Sequence, residues 1–222
     1  MSNVKLNIKM NRRVFTTSVV GLAVSPLLVH AQTPVALPAV VGQAAPDFNA
    51  TDALGKSHKL SDFKGKLVVL EWTNPGCPFV AKHYSGGGQG NMQRLQKEFT
   101  AKGVVWLSIA STEKGNGEYY PPAKMVSWVQ DKQAKPSAVL MDELGKIGQL
   151  YGAKTTPHMY IISPQGVLVY SGAIDSVASA RVDDIKTATN YVRQGLSEAL
   201  AGKAVSTPST RAYGCSVKYK DA

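Results

Sequence analysis

The chain has 222 residues, 25 Lys or Arg against 15 Asp or Glu, a formal charge of +10 and only two cysteines. Four of the cations, Lys5, Lys9, Arg12 and Arg13, fall in the first 13 residues, and without them the charge is +6. The remainder are scattered, with no dense basic run and no interleaved aromatics, which argues against nucleic-acid binding.

The four cations precede an apolar run, VVGLAVSPLLV, that ends in Val29-His30-Ala31. Charged, apolar and small-residue regions in that order predict a secretory signal over residues 1–31. The apolar part is shorter than the about 20 residues of a membrane helix, so no stable span is expected in the mature chain. Asn11-Arg12-Arg13-Val14-Phe15 also fits a twin-arginine signal. By the Sec or the twin-arginine route, the expected location is the periplasm or the medium, where disulfides persist. Removing the first 31 of 222 residues leaves 191, enough for one domain with a substantial core.

QTPVALPAVVGQAA (32–45) reads as a linker, rich in Pro, Ala and Val. Asp47–Ala50 and Lys59–Phe63 flank a glycine turn and predict two short strands, or a strand and one helical turn. Leu67–Trp72 is apolar nearly throughout, the pattern of a strand covered on both faces. A short helix is predicted from Pro78, carrying Phe79, Val80, His83 and Tyr84. SGGGQG (85–90) lacks the Gly-Lys-Ser/Thr of a phosphate loop and reads as a kink. Asn91 is expected to cap a second helix, with Met92, Leu95 and Phe99 on its inner face.

Val104–Ile109 predicts another buried strand, followed by a helix near 123–133 with Met125, Trp128 and Val129 inward. A short strand, Ala138–Met141, precedes a helix that starts at Asp142, carries Leu144, Ile147 and Leu150, and closes at Gly152. Met159–Ile162 and Val167–Tyr170 flank Pro164-Gln165-Gly166 as a hairpin. Residues 181–202 predict a last helix with Val182, Ile185, Val192, Leu196 and Leu200 inward. The order is β-α-β-α-β-α-β-β-α, an α/β domain over 46–205 whose crossovers require parallel strands, with an antiparallel hairpin at one edge. The tail, 206–222, carries the second cysteine.

Cys77 lies at the turn between the first buried strand and a helix, one residue ahead of Pro78. Proline favours the first helical turn, so the sulfur is expected near unpaired N–H groups, which favour the thiolate. The alternative is an inert buried cysteine. Cys215, in RAYGCSVKY, is the natural partner in an exported chain. Their disulfide could be structural, pinning the tail and worth about 4 kcal/mol by loop closure. It could instead be a reversible pair in which a mobile tail brings Cys215 to resolve bonds made at Cys77.

The ordered motifs VGQAAPDF (41–48), LSDFKGK (60–66), the strand to Trp72, CPFV (77–80), and Tyr151-Gly152 ahead of Thr156-Pro157 resemble a known family. It is the alkyl hydroperoxide reductase and thiol-specific antioxidant branch of the thioredoxin-like redoxins, and the resemblance spans roughly residues 40 to 175. It implies a thioredoxin-like fold, a central mixed sheet flanked by helices, with an N-terminal extension and a C-terminal tail. It implies a cis-proline turn at Thr156-Pro157 facing the site, and substrate-positioning roles for Thr156, Pro157, Thr73 and Asn74.

Two departures stand out. Relatives with a C-x-x-C pair have a cysteine where this chain has Asn74, which removes the usual fast resolution step, and Cys215 could restore it from the tail. The peroxidase pattern puts Pro seven and Thr or Ser three residues before the cysteine; Leu70 and Asn74 stand there, and Thr73 is one place off. Neither Arg181 nor Lys82 can be assigned a peroxide-binding role from sequence. No cofactor is expected; Cys77, His83 and His158 form a minor copper-binding alternative.

The expected function is an exported thiol-disulfide oxidoreductase with Cys77 attacking and Cys215 resolving, acting on a thiol or disulfide partner, protein or small molecule. The alternatives are an antioxidant thiol peroxidase that takes a hydroperoxide, and a non-enzymatic binding domain with a structural disulfide.

Overall fold

The computed structural model describes residues 38–220. The predicted leader, 1–31, and the first residues of the predicted linker lie outside the described residues.

Two short antiparallel strands, β1 (Asn49–Thr51) and β2 (Ser57–Lys59), are followed by a 3-10 turn, Leu60–Phe63. The central sheet starts with β3 (Val68–Trp72). After it come α1 (Pro78–Tyr84), a 3-10 turn at Gly87–Gln89, α2 (Asn91–Thr100) and β4 (Val105–Ala110). Then follow α3 (Pro122–Asp131), β5 (Ala138–Met141), α4 (Lys146–Tyr151) and the two-residue β6 (Thr155–Thr156). The hairpin β7 (His158–Ile162) and β8 (Leu168–Gly172), a 3-10 segment Val182–Lys186, α5 (Tyr191–Leu200) and β9 (Cys215–Ser216) complete the chain.

Five strands form one sheet in the order β5-β4-β3-β7-β8. The β3–β4 and β4–β5 pairs are parallel, whereas β3–β7 and β7–β8 are antiparallel. Side chains alternate across the pleat and so divide the core in two. Val69, Trp106, Val139, Met159 and Ile161 face α1, α2, α3 and α5, whose Val80, Tyr84, Met92, Leu95, Phe99, Met125, Trp128, Val192 and Leu196 close that side. Val68, Leu70, Trp72, Leu107, Ile109, Leu140 and Tyr160 face the other way, against Phe48, Leu60, Ile147 and Tyr151. Burial on both faces explains why β3 and β4 read as continuous apolar runs. This is the thioredoxin-like mixed sheet flanked by helices.

Several local expectations change. The last helix is shorter than 181–202: a 3-10 segment and a break precede α5, so Val182 and Leu200 are exposed while Val192 and Leu196 are buried. The cap of α5 is Asn190, whose Oδ1 accepts the Arg193 N–H at 2.9 Å. Asn91 is not a cap; Gly90 holds that position, and Asn91 is buried at the first helical residue. Asp142 precedes α4 without starting it, its carboxylate accepting the N–H groups of Ile147 and Gly148, and Leu144 is exposed.

The described part of the predicted linker is attached to the domain. Ala39 and Ala45 donate backbone N–H groups to the Leu150 and Gly166 carbonyls, and Ala39, Val41 and Ala45 pack on the lower core. The domain thus begins well before residue 46. The predicted mobile tail is likewise laced to the body. Ser171 donates its N–H to Pro208 O and receives Thr210 N–H, Val217 donates to Lys154 O, and the Tyr219 hydroxyl donates to Ala153 O. The Tyr219 ring fills the space left by Gly145 and Gly148; a Cβ on Gly148 would stand 2.3 Å from the Tyr219 hydroxyl oxygen.

Candidate active site

The loop after β3 delivers Cys77 to the upper face of the sheet. The Asn74 side-chain Oδ1 accepts the Gly76 N–H at 2.9 Å, and its backbone carbonyl accepts the Cys77 N–H at 3.0 Å. Those two bonds make the turn that ends at Cys77, and Pro78 then opens α1, as expected of a proline at a first helical position. The Asn74 Nδ2 donates to Glu118 Oε2 at 2.6 Å, and Glu118 Oε1 meets the Lys218 ammonium at 3.4 Å. Glu118 therefore joins the cysteine loop to the tail.

Thr156 and Pro157 approach from the opposite side through a cis peptide bond. The Thr156 carbonyl oxygen is 3.0 Å from Cys77 Sγ. Thr156 pairs with Cys215 and Thr155 with Ser216, antiparallel, so β6 and β9 form a separate two-stranded sheet at the site. This pairing sets Cys215 Sγ 2.8 Å from Cys77 Sγ. Both are free thiols, Cys77 fully buried and Cys215 part-exposed.

The two sulfurs are not equivalent. Burial opposes the Cys77 thiolate, but the Cys215 thiol, Thr156 and the backbone N–H groups of Val80 and Cys215 outweigh it, holding Cys77 below the usual thiol range. Burial and the neighbouring Cys77 charge push Cys215 up to about 12. The asymmetry favours the thiolate at Cys77 and leaves the proton on Cys215.

The hydroxyls of Thr73 and Thr156 are buried without a hydrogen-bond partner. Thr73, whose N–H donates to Ile109 O, follows directly on β3; all six sequence-predicted site residues thus lie on the segments that meet at the two sulfurs. The copper alternative is not assembled: among the described residues no group of three His, Cys, Asp or Glu could hold a metal ion together. His83 Nδ1 is 2.9 Å from Asn91 Nδ2, and His158 Nδ1 is 3.3 Å from the Tyr160 hydroxyl.

A second polar cluster lies behind the cysteines. Lys82, on α1, is fully buried, with its ammonium 3.3 Å from Asp175 Oδ2, 3.1 Å from Val177 O and 3.4 Å from the Tyr213 hydroxyl. Tyr213 donates a short hydrogen bond to Asp175 Oδ1 and packs its ring edge-on against Phe79 with centroids 5.9 Å apart. The sequence reading missed Asp175, Tyr213, Gly214 and Glu118. Only Tyr213 and Gly214 carried a visible signal, their place beside Cys215.

The model of the AhpC/TSA family matches residues 41–171. The chain belongs to the AhpC/TSA family. Among its relatives, the thioredoxin-like protein YneN of Bacillus subtilis is 30% identical over 128 residues, 57% of this chain and 68% of YneN. The thiol-disulfide oxidoreductase ResA of Bacillus thuringiensis is 27% identical over 129 residues, 58% of this chain and 67% of ResA. A solved structure of a hypothetical protein from Sinorhizobium meliloti superposes with a TM-score of 0.72 at 22% identity, over 82% of this chain and 96% of that one, a likeness of fold. This AhpC/TSA chain is a redox enzyme. Its family match ends at residue 171, so the β9 segment that carries Cys215 lies outside it.

Proposed function

We propose that the protein is an exported thiol-disulfide oxidoreductase in which Cys77 attacks and Cys215 resolves. The observation that carries this reading is the 2.8 Å approach of two free thiols, one of them held toward the thiolate. The likeness to ResA supports the same chemistry.

The Cys77 thiolate attacks one sulfur of a partner disulfide, forming a mixed disulfide and expelling a partner thiolate. Cys215 passes its proton to the departing sulfur and attacks Cys77, forming the Cys77–Cys215 bond and releasing the second partner thiolate. The dithiol has then lost two electrons and the partner has gained them. Thr156 would hold the approach through its carbonyl and hydroxyl, Pro157 would fix its position, and Asn74 would fix the loop.

Residues 1–31 act as the export leader in this reading, and the periplasm or the medium is the place of work. No helix among the described residues is long and apolar enough to cross a membrane.

A second reading, hydroperoxide reduction, is favoured by the unpartnered Thr73 and Thr156 hydroxyls. There the Cys77 thiolate would take the terminal peroxide oxygen as a sulfenic acid, an alcohol would leave, and Cys215 would condense with loss of water. Titrating the pair against glutathione and following peroxide consumption in wild type and Cys77→Ser separates these readings. A potential above about −300 mV, with turnover of disulfides and not of peroxide, is expected; a lower one makes the bridge structural.

A further inference from the structure

Cys77, the sulfur whose surroundings favour ionisation, is fully buried, and the sulfur in contact with it belongs to the tail. The backbone edge beside it is also taken. The groups of Thr155 and Thr156 that would receive an extended polypeptide are already paired with Ser216 and Cys215. An edge strand next to a reactive sulfur offers its main-chain groups to any incoming chain; here the chain's own tail has claimed them.

Three ties hold that segment. Gly214 meets Thr156 so closely that a Cβ at 214 would stand 2.0 Å from the Thr156 carbonyl oxygen and 2.7 Å from its carbon, at φ +142. Tyr213 inserts its hydroxyl between Asp175 and the buried Lys82 ammonium, within 3.5 Å of His83 Nε2. Beyond Cys215, Val217 donates to Lys154 O at 3.1 Å, and Lys218 pairs with Glu118, which also accepts from Asn74 of the cysteine loop. The buried Lys82 ammonium thus meets Asp175, Val177 O and the tail tyrosine at one point.

We propose that residues 213–217 form a built-in gate that sorts reactants by size: the reduced enzyme reacts directly with small disulfides and with polypeptide disulfides only after β9 leaves β6. Tyr213 and Gly214 are its positioning residues. A small molecule needs only the Cys215 side chain to swing aside, whereas a polypeptide needs the edge at Thr156 as well. The proposal rests on reading Cys77 and Cys215 as a redox pair. With a small disulfide RSSR, a Cys77–SR bond forms as one RS⁻ leaves; Cys215 then displaces the second, and the dithiol's two electrons end on two RSH.

The test uses the reduced mature chain and compares its oxidation rate constants with cystamine and with insulin, in wild type, Gly214→Ala and Tyr213→Phe. Wild type is expected to react faster with cystamine than with insulin. Each substitution, by removing a close fit or a buried hydrogen bond, is expected to raise the insulin rate about tenfold or more and to leave the cystamine rate within about threefold. Tyr213→Phe keeps the test decisive where Gly214→Ala fails to fold. Wild type reacting equally well with both, or both variants changing both rates in parallel, overturns the gate. If cystamine leaves the dithiol unoxidised, the redox pairing itself fails. Labelling of Cys77 by a small and by a polymer-bearing maleimide then decides the gate alone: exclusion of the bulky reagent, relieved in Tyr213→Phe, supports it, and equal labelling sinks it.

Discussion

Glu71 accepts a hydrogen bond from the Tyr84 hydroxyl at 2.6 Å, and both residues are fully buried. Gln96, Trp106 and Ser108 donate to the other carboxylate oxygen. Four neutral donors surround this carboxyl, and no cation is among its hydrogen-bond partners. Desolvation raises its pKa above the ordinary 4.5, although each donor pulls it down.

A carboxyl whose pKa is raised by folding stabilises the fold fully below its unfolded value, and that stability is lost as pH climbs through the folded value. Glu71→Gln should therefore flatten part of the stability profile. Thermal unfolding from pH 5 to pH 8 is expected to show wild type losing ground against Glu71→Gln as pH rises. A constant difference between the two proteins across that range would show that Glu71 is ionised throughout.

His83 and His158 carry the opposite sign. Burial lowers both, from 6.5 to about 4; for His83 the Asp175 charge works against that and Lys82 adds to it, and for His158 Lys154 adds to it. Each contributes stability that is present above pH 6.5 and lost as pH falls toward about 4. Each histidine should add a slope of about 1.4 kcal/mol per pH unit within that window. Denaturant unfolding of His83→Asn and His158→Asn should each show a shallower acid limb than wild type, and an unchanged limb in either would remove that histidine from the account.

The buried Lys82–Asp175 pair makes a third case. Removing one charge leaves the other unpaired in the core, at a cost of about 3–5 kcal/mol. Lys82→Met and Asp175→Leu are each expected to lose that much by denaturant titration. The double variant should recover most of it, because two apolar side chains of similar size leave no stranded charge. Additive losses would mean that the pair is not coupled.

Cys215 is the largest of the influences that lower Cys77. In Cys215→Ala the thiolate loses that donor while its burial persists or lessens only slightly. The ultraviolet thiolate absorbance of the remaining cysteine should then titrate at higher pH than the first step seen in wild type. An unmoved titration would assign the shift to Thr156 and the backbone N–H groups of Val80 and Cys215 instead.

Much of the fold is legible in the sequence because its signals are local. Leu67–Trp72 and Val104–Ile109 are apolar on both sides of the pleat, and Met92, Leu95 and Phe99 repeat at helical spacing. The last helix is misjudged because Val182 and Ile185 mimic that spacing across a break that tertiary contacts enforce. The tail is misjudged for a related reason. Its hydrogen bonds run to Lys154, Ser171 and Ala153, partners distant in sequence, so Thr207–Ser209 has the composition of a loose end. At the site, Cys77 announces itself through the strand, turn and proline around it. Asp175 and Glu118 do not, since each matters only through side chains brought from elsewhere, Lys82 and Tyr213 for one, Asn74 and Lys218 for the other.

The order in which a ribosome releases this chain gives the lacing of the tail a further meaning. Cys77 emerges 138 positions before the sulfur that covers it, and β6, the strand that receives β9, lies between them. Until Cys215 is made, Cys77 can form disulfides only with other molecules, and its cover arrives with the last residues of the domain. On the export proposed above, folding in an oxidising compartment would expose that interval to disulfides with other molecules, whereas folding before export would close it first.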